Sequence, residues 1–259
     1  MRNRPITCFT GIGLIFAIAG NWAQTQVIGS EVLSPDSIAR SGNVIVAMWN
    51  APHVTIVEVP DTLVFCYLPQ NDAPLDSIAR KENLRCLING SFFNGARGNA
   101  SHAGWLSMYG RRVTPLMDDR QLTHIVRNNG TKRRIEFLPA RSFVASEDSQ
   151  LLEFQTGPLV VEMGRIREDL IRSSINGSTR HTRSLLATLD QHRCFFITVT
   201  ERVTLTDLAA TLLRLSVFQN GRLDVINLDG GSSVALYVRN LPGVNSNADD
   251  HLPILIGFR

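Results

Sequence analysis

The sequence predicts an α+β fold: a single domain of mixed or antiparallel sheets with a few packed helices. The chain has 259 residues, enough for one sizeable domain, and its hydrophobic content of 44% suits an ordinary globular core. Many short runs rich in Val, Ile, Phe and Leu are separated by Gly, Asn, Asp and Pro, as strands joined by turns are. No stretch has the composition of a linker, so we expect one domain.

Thirteen segments are predicted to be strands, because each is a short apolar run bounded by turn-forming residues. In chain order they are Val44–Trp49, Val54–Val59, Leu63–Leu68, Arg85–Ile88, Leu106–Tyr109, His124–Arg127, Ile135–Leu138, Leu159–Glu162, Ser184–Leu189, Cys194–Thr200, Leu223–Leu228, Val234–Val238 and Ile254–Phe258. So many short strands indicate that sheets form most of the core.

Three helices are predicted among these strands. Leu75–Asn83 and Glu168–Ser174 are short, whereas Leu205–Leu215 repeats apolar residues at clear helical spacing. Thr204 and Asp207 resemble a capping box at its start, with aspartate in place of the usual glutamate. Because this last helix joins two strands, we expect it to pack on a sheet.

The first 23 residues resemble a secretory signal peptide. Arg2 and Arg4 form a weakly basic start, an apolar core follows, and Ala23 is a small residue at a plausible cleavage point. The apolar run is short for a membrane span, and an uncleaved N-terminal anchor is the alternative interpretation. We therefore expect an exported protein, periplasmic or secreted, whose domain occupies residues 24–259 and touches a membrane only through an uncleaved leader.

Charge and cysteine content exclude several function classes. The net charge is +3 and two basic residues lie in the leader, so the near-neutral remainder argues against a general nucleic-acid binder. Cys66, Cys86 and Cys194 have no Cys-x-x-Cys spacing, which argues against zinc and a redox dithiol. We expect buried free thiols, with a Cys66–Cys86 disulfide as the alternative, and we predict neither a metal nor a cofactor.

The most informative motif follows the predicted strand Leu223–Leu228. That strand ends in Asp229, the glycines Gly230 and Gly231, and two serines, Ser232 and Ser233. Glycine is best used where no side chain fits or where φ must be positive. Paired glycines followed by paired hydroxyls indicate an anion or sugar site, although a tight turn capped by the aspartate is the alternative.

Two further segments carry similar chemistry. Asn89 and Gly90 end an apolar strand, where the amide could bind a sugar hydroxyl or phosphate oxygen or simply close a turn. The polar stretch before Leu185 contains His181 and Arg183; a guanidinium matches phosphate, and an imidazole can move protons near neutral pH. A solvated basic loop is the alternative. Gly157, which precedes a proline, is expected to shape the backbone there.

In this order, the segments resemble the phosphodiester glycosidase family. The matching segments are Asn89–Phe93, Gly157–Leu159, His181–Ser184, Thr204–Ala209 and Asn227–Ser233, and the resemblance extends over roughly residues 40 to 259. The chain departs from the family pattern in two places. It has two glycines after Asp229 where the family usually has three, and Ser184 stands where threonine is common.

The resemblance implies an exported hydrolase that cleaves a sugar-1-phosphodiester in a phosphorylated glycan or envelope polymer. It implies that Arg183 binds the phosphate with Ser232, Ser233 and the Gly230 and Gly231 amides as further donors. Asp229 would be the base or a sugar-orienting carboxylate, and His181 its proton-transfer partner.

Asn89, Gly90 and Gly157 complete the implied substrate site, with the Asn89 amide as a substrate ligand. There are two alternatives. One is a non-catalytic module that binds phosphoglycans, and the other is a phosphodiesterase that cuts the P–O bond on the other side of the phosphodiester oxygen. Six scattered histidines show no metal-ligand cluster of the kind that metal-dependent phosphodiesterases use.

Overall fold

The computed structural model describes residues 32–51, 53–59, 63–67, 73–95, 100–129, 134–148, 151–172, 177–246 and 252–259, with the backbone alone described for 64–67. These residues belong to one compact unit, Val32–Arg259. The proposed leader lies outside them, so the signal peptide stays a prediction. Among the described residues, no helix combines the length and apolarity needed to cross a bilayer.

Strands dominate the described part of the chain. They are β1 (Ser37–Ser41), β2 (Val44–Asn50), β3 (His53–Val59), β4 (Val64–Tyr67), β5 (Cys86–Asn89), β6 (Phe93–Asn94), β7 (Ser101–His102), β8 (Leu106–Met108), β9 (Arg111–Thr114), β10 (His124–Asn129), β11 (Arg134–Pro139), β12 (Leu151–Thr156), β13 (Leu159–Glu162), β14 (Arg165–Ile166), β15 (His181–Leu189), β16 (Arg193–Val203), β17 (Leu223–Asn227), β18 (Leu236–Val238) and β19 (Ile254–Phe258). The α-helices described are α1 (Leu75–Lys81), α2 (Glu168–Arg172) and α3 (Leu205–Leu212). Short 3-10 turns cover Ala140–Ser142, Ser216–Phe218, Gly231–Ser233 and Pro242–Val244.

The strands form an eight-stranded sheet in the order β1-β2-β3-β16-β15-β17-β13-β14, together with smaller sheets. The smaller sheets have the orders β11-β10-β12-β8-β9, β18-β5-β19-β4 and β6-β7. Neighbouring strands run antiparallel throughout the described sheets. Antiparallel sheets are therefore confirmed, but the predicted α+β class is only partly right, because the described chain is mainly sheet.

Both faces of the large sheet are buried. Successive residues of β15 alternate between two apolar clusters: Leu186 packs with the smaller sheets, whereas Leu185 and Ala187 pack on the side of α3. Strands covered on both faces carry continuous apolar runs, which explains why β15 and β16 stand out in the sequence. On the four-stranded sheet, α1 closes a third cluster.

Several predicted element boundaries need correction. β15 begins at His181 rather than Ser184, so His181 and Arg183 lie on a strand and not in a loop. The strand predicted as Val234–Val238 begins at Leu236, because a 3-10 turn at Gly231–Ser233 comes first. Polar strands such as β9 were missed because they lack the apolar signal.

Helix α3 confirms its predicted start and shortens its predicted end. The Thr204 side chain accepts a hydrogen bond from the Asp207 N–H at 3.0 Å, as the capping pattern predicts. Its buried face consists of Leu205, Leu208, Ala209 and Leu212. The helix thus packs on one face of the large sheet. Its first residue, Leu205, lines the candidate site together with His181, the first residue of β15.

The structure decides between the two interpretations of Cys86, a buried thiol and a disulfide with Cys66. Neither Cys86 nor Cys194 is in a disulfide bond, and both are fully buried. Burial raises the pKa of the Cys86 thiol far above its ordinary value, which keeps it protonated and unreactive. The Cys66–Cys86 pairing is therefore wrong, and the expectation of a free thiol at Cys86 is confirmed.

Candidate active site

A pocket of about 310 Å³ lies where β15 begins and β17 ends. A cavity of this size is at the lower end of the range for small-molecule sites. Its walls combine charged, polar and apolar groups: Phe92, Gln121, Pro158, Thr179, His181, Arg183, Leu205, Asn227, Asp229, Gly230, Gly231 and Ser232. The structure therefore brings together six of the predicted site residues, namely Asp229, His181, Arg183, Gly230, Gly231 and Ser232.

Asp229 is held in the pocket wall by its own backbone. Its N–H donates to the Gly90 carbonyl at 3.1 Å, and its carbonyl accepts from the Asn89 side-chain amide at 2.8 Å. The carboxylate oxygen Oδ1 accepts from the Gly230 N–H at 2.8 Å. Because the backbone is fixed on both sides, the half-buried Asp229 is held in the lining of the pocket.

The two glycines after Asp229 each meet a different backbone requirement. A Cβ on Gly230 would lie 2.7 Å from the Thr182 carbonyl oxygen, so no side chain fits beside β15. Gly231 has a φ of +64°, and its carbonyl accepts from the Thr182 hydroxyl at 2.8 Å. A run of two glycines, one fewer than the family usually has, is thus enough to close this turn against β15.

Asn89 lies behind the pocket rather than in it. Its side chain is 1% exposed, and its Oδ1 accepts from the Ser184 hydroxyl at 2.6 Å and the Ala235 N–H at 3.1 Å. Its amide nitrogen is the donor to Asp229 described above. Asn89 therefore positions the loop that carries Asp229. This role differs from the predicted one, in which the Asn89 amide contacts substrate.

The same contacts explain the second departure from the family pattern. Ser184 supplies the hydroxyl that binds Asn89, and a threonine would supply the same group. The substitution therefore preserves the hydrogen bond that ties β15 to β5.

Replacing Asn89 with alanine is expected to lower the free energy of unfolding by about 2–3 kcal/mol, because buried partners lose their hydrogen bonds. Urea denaturation measures this loss, and activity should fall with it. The control is Asn245→Ala, which removes only the acceptor for the Val238 N–H. A variant of Asn89 with wild-type stability and only a raised KM would show that Asn89 contacts substrate after all.

Arg183 is a cation buried near the start of β15. Only 8% of the residue is exposed, and within the described residues it forms no ion pair. One terminal nitrogen donates to the Thr179 carbonyl at 2.6 Å, while the buried Nε has no hydrogen-bond partner in the described structure. Burial lowers the pKa of Arg183 to about 10, so the group is charged but poorly solvated at neutral pH.

His181 stands at the start of β15 beside this cation. Its pKa is lowered below the ordinary value, first by desolvation and then by the charges of Arg183 and Arg202. The imidazole is consequently neutral at pH 7 and able to accept a proton. Two other histidines, His102 and His124, are buried elsewhere, and burial lowers the pKa of each to about 4.

Besides Asn89, three predicted residues fall outside the pocket lining. Gly90 is packed so closely that a Cβ would lie 2.4 Å from the Ile254 side chain, and Ser233 is buried in the turn. At Gly157, a Cβ would lie 2.5 Å from the Gln121 carbonyl oxygen, and a cis peptide bond joins it to Pro158. It is Pro158 that reaches the pocket, so Gly157 shapes the backbone as expected.

Sequence analysis did not select Asn227 as a site residue. Its amide nitrogen donates to the carbonyl oxygens of Gly157 and Leu228 at 3.0 and 2.6 Å. Its buried Oδ1 has no hydrogen-bond partner in the part of the chain that is described. An unpaired acceptor in a pocket wall suits a ligand hydroxyl. The available signal was an asparagine ending a buried strand, the same signal that selected Asn89.

The remaining residues that were missed are Phe92, Gln121, Pro158, Thr179 and Leu205. Their side chains are of types that occur throughout the surface and core of proteins, and only the fold brings them to one cavity. Among the described residues, no three His, Cys, Asp or Glu side chains are grouped as metal ligands would be.

A carboxylate and a neutral imidazole can serve as bases, and a buried guanidinium can stabilise negative charge in the same pocket. The chain belongs to the phosphodiester glycosidase family, whose sequence model matches residues 82–258. The predicted resemblance is thus confirmed from residue 82 onward.

The solved structures that match this chain include two with TM-scores above 0.5 and one just below. The catalytic domain of zebrafish N-acetylglucosamine-1-phosphodiester alpha-N-acetylglucosaminidase, auto-inhibited by its pro-peptide, is 14% identical with a TM-score of 0.58, over 86% of this chain and 81% of that one. A putative exported protein from Burkholderia pseudomallei K96243 is 10% identical with a TM-score of 0.54, over 79% and 73%.

The third is a hypothetical protein from Synechocystis, 15% identical with a TM-score of 0.49, over 85% of this chain. This chain spans 60% of the length of that protein. A search of curated protein sequences found no match. At these identities the similarities concern the fold alone.

Proposed function

We propose that this protein is an exported hydrolase that cleaves the bond between a sugar and a phosphodiester in a phosphorylated glycan or envelope polymer. The observation that carries the proposal is the buried Arg183 guanidinium, which shares a pocket with Asp229 and forms no ion pair among the described residues. A buried cation without a partner is costly, and a bound phosphate would supply the missing anion.

The pocket lining contains two chemically different kinds of group, which suit the two parts of such a substrate. Arg183, His181, Ser232 and the Gly230 and Gly231 backbone would take the phosphate. Phe92, Pro158 and Leu205 offer apolar surface, and Asn227 an unpaired acceptor, for a sugar ring.

The chemistry needs little acid catalysis at the leaving group. A water molecule adds to the anomeric carbon, the bond from that carbon to the phosphate oxygen breaks, and the bond's electron pair leaves with the phosphate. Arg183 stabilises that developing charge, as preorganised donors do in other enzymes. Asp229 takes the proton from water or orients the sugar, and neutral His181 accepts the proton onward.

A panel of sugar-1-phosphodiesters tests the proposal with the purified protein. Release of free sugar supports it, and in ¹⁸O water the label is expected in the sugar. Label in the phosphate would instead identify a phosphodiesterase, and binding without turnover would identify a non-catalytic phosphoglycan-binding module.

The acid limb of the pH profile of kcat/KM is expected below pH 6.5, because the pKa of His181 is lowered. Arg202→Gln removes one of the charges that lower it, so the limb should move to higher pH. Activity profiles and an NMR titration of His181 measure the shift.

The matched control is Arg40→Gln, an exposed arginine on β1 at the other end of the large sheet. A limb that stays in place in Arg202→Gln, or that moves equally in Arg40→Gln, would contradict the assignment to His181.

A further inference from the structure

A second group of cations lies next to the pocket, where β16 is irregular. His181 pairs with Val203 and Arg183 with Val199, so a two-residue step on β15 faces a four-residue step on β16. Such bulges commonly redirect side chains near functional sites. Here the extra residues of β16 include Arg202.

Arg202 and Arg180 hold each other in place. The Arg180 Nε donates to the Arg202 carbonyl at 3.2 Å, and the Arg202 Nε and a terminal nitrogen donate to the Arg180 carbonyl at 3.3 and 3.2 Å. Both residues are exposed. These reciprocal bonds fix two long side chains that would otherwise be mobile on the surface, which is a form of preorganisation.

The two guanidinium groups have no acidic partner in the part of the chain that the structure describes. Within the described residues neither forms an ion pair, although the acidic Glu201 is the immediate neighbour of Arg202 in the chain. Each exposed guanidinium therefore keeps a positive charge and N–H donors that an anion could satisfy.

The charge of this pair reaches the pocket, because Arg202 acts on a residue of the pocket lining. The charges of Arg183 and Arg202 both lower the pKa of the His181 imidazole, and His181 lines the pocket. The cations therefore extend from the buried Arg183 past His181 to the exposed Arg180 and Arg202. A single phosphodiester could neutralise Arg183 but would leave the outer pair without an anion.

We propose that Arg180 and Arg202 form a second anion site, which takes another negatively charged group of the substrate held at Arg183. The inference rests on the proposed function and narrows its substrate class to chains with at least two anionic groups. The second group is a phosphate or a carboxylate, since a guanidinium pairs with either.

Steady-state kinetics on the full chain can test this with three sugar-1-phosphodiesters that differ only in the aglycone: neutral, phosphorylated or carboxylated. For the wild type, we expect KM to be at least tenfold lower for an anionic aglycone than for the neutral one, with similar kcat. Comparison of the two anionic aglycones shows which source of charge is preferred.

The double variant Arg180→Gln/Arg202→Gln is expected to bring that KM ratio close to one. The double variant Arg180→Lys/Arg202→Lys keeps both positive charges but loses the guanidinium groups, so it should keep part of the KM ratio. The two double variants together distinguish the effect of charge from the effect of the reciprocal hydrogen bonds. Arg40→Gln should keep the whole ratio. An unchanged ratio in the double glutamine variant, or a wild-type ratio near one, would overturn the proposal.

Calorimetry tests the second site even if no substrate is turned over. Inorganic tripolyphosphate is expected to bind the wild type at least tenfold more tightly than inorganic phosphate, and the double glutamine variant should lose this advantage. Equal affinity for the two anions in the wild type would refute the second site, whereas absent hydrolysis with the advantage retained would refute only the proposed reaction.

Discussion

Replacing Asp229 with asparagine is expected to lower kcat by about 10²–10⁴-fold, the range that a general acid or base contributes. Asparagine keeps the size of the side chain and an oxygen that can accept the hydrogen bond from the Gly230 N–H. The Asp229 backbone forms hydrogen bonds with the Gly90 carbonyl and the Asn89 side chain, and neither bond involves the Asp229 side chain. The variant should therefore fold normally and bind substrate while losing turnover.

The control for this variant lies on the strand that leads to it. Asp224→Asn changes a half-buried carboxylate of β17 whose Oδ1 accepts from the Met163 N–H at 2.6 Å and which does not line the pocket. Thermal unfolding and kcat are measured for both variants. Near-normal hydrolysis by Asp229→Asn, or an equal loss in Asp224→Asn, would rule out Asp229 as the catalytic carboxylate.

The Asp229 loop shows what a local pattern can predict. A strand followed by a carboxylate, two glycines and two serines predicts a polar turn at a strand end, because few other structures need paired glycines. The close approach of Gly230 to Thr182 and the positive φ of Gly231 are the physical reasons. The pattern predicts where the turn lies but not which of its hydroxyls reach the pocket, and only Ser232 of the two serines does.

Asn89 shows where that reasoning ends. An amide at the end of a strand has the same sequence pattern whether it faces a ligand or the protein interior. Its partners Asp229, Ser184 and Ala235 are about 100 or more residues away in the chain, so their positions depend on the whole fold. The same dependence on distant elements explains why Gln121 and Leu205 were not predicted as pocket residues.

Replacing Arg183 with methionine is expected to lower kcat/KM by at least about 100-fold, the effect of removing one preorganised donor of roughly 3 kcal/mol. Methionine fills much of the same space without a charge. Stability should not fall, because burial already lowers the pKa of Arg183 and its charge forms no ion pair among the described residues. Loss of one hydrogen bond to the Thr179 carbonyl is the main cost to the fold.

Thermal unfolding with and without inorganic phosphate separates a binding role from a structural one. A ligand that binds only the folded state raises the melting temperature, and this rise should be clear in the wild type and much smaller in Arg183→Met, which keeps only the outer arginine pair. Arg193→Met is the control, since it removes an exposed arginine on the neighbouring strand β16 that pairs with Glu58. A large loss of stability in Arg183→Met, with phosphate still raising its melting temperature as much as in the wild type, would mean that Arg183 supports the fold and that the anion binds elsewhere.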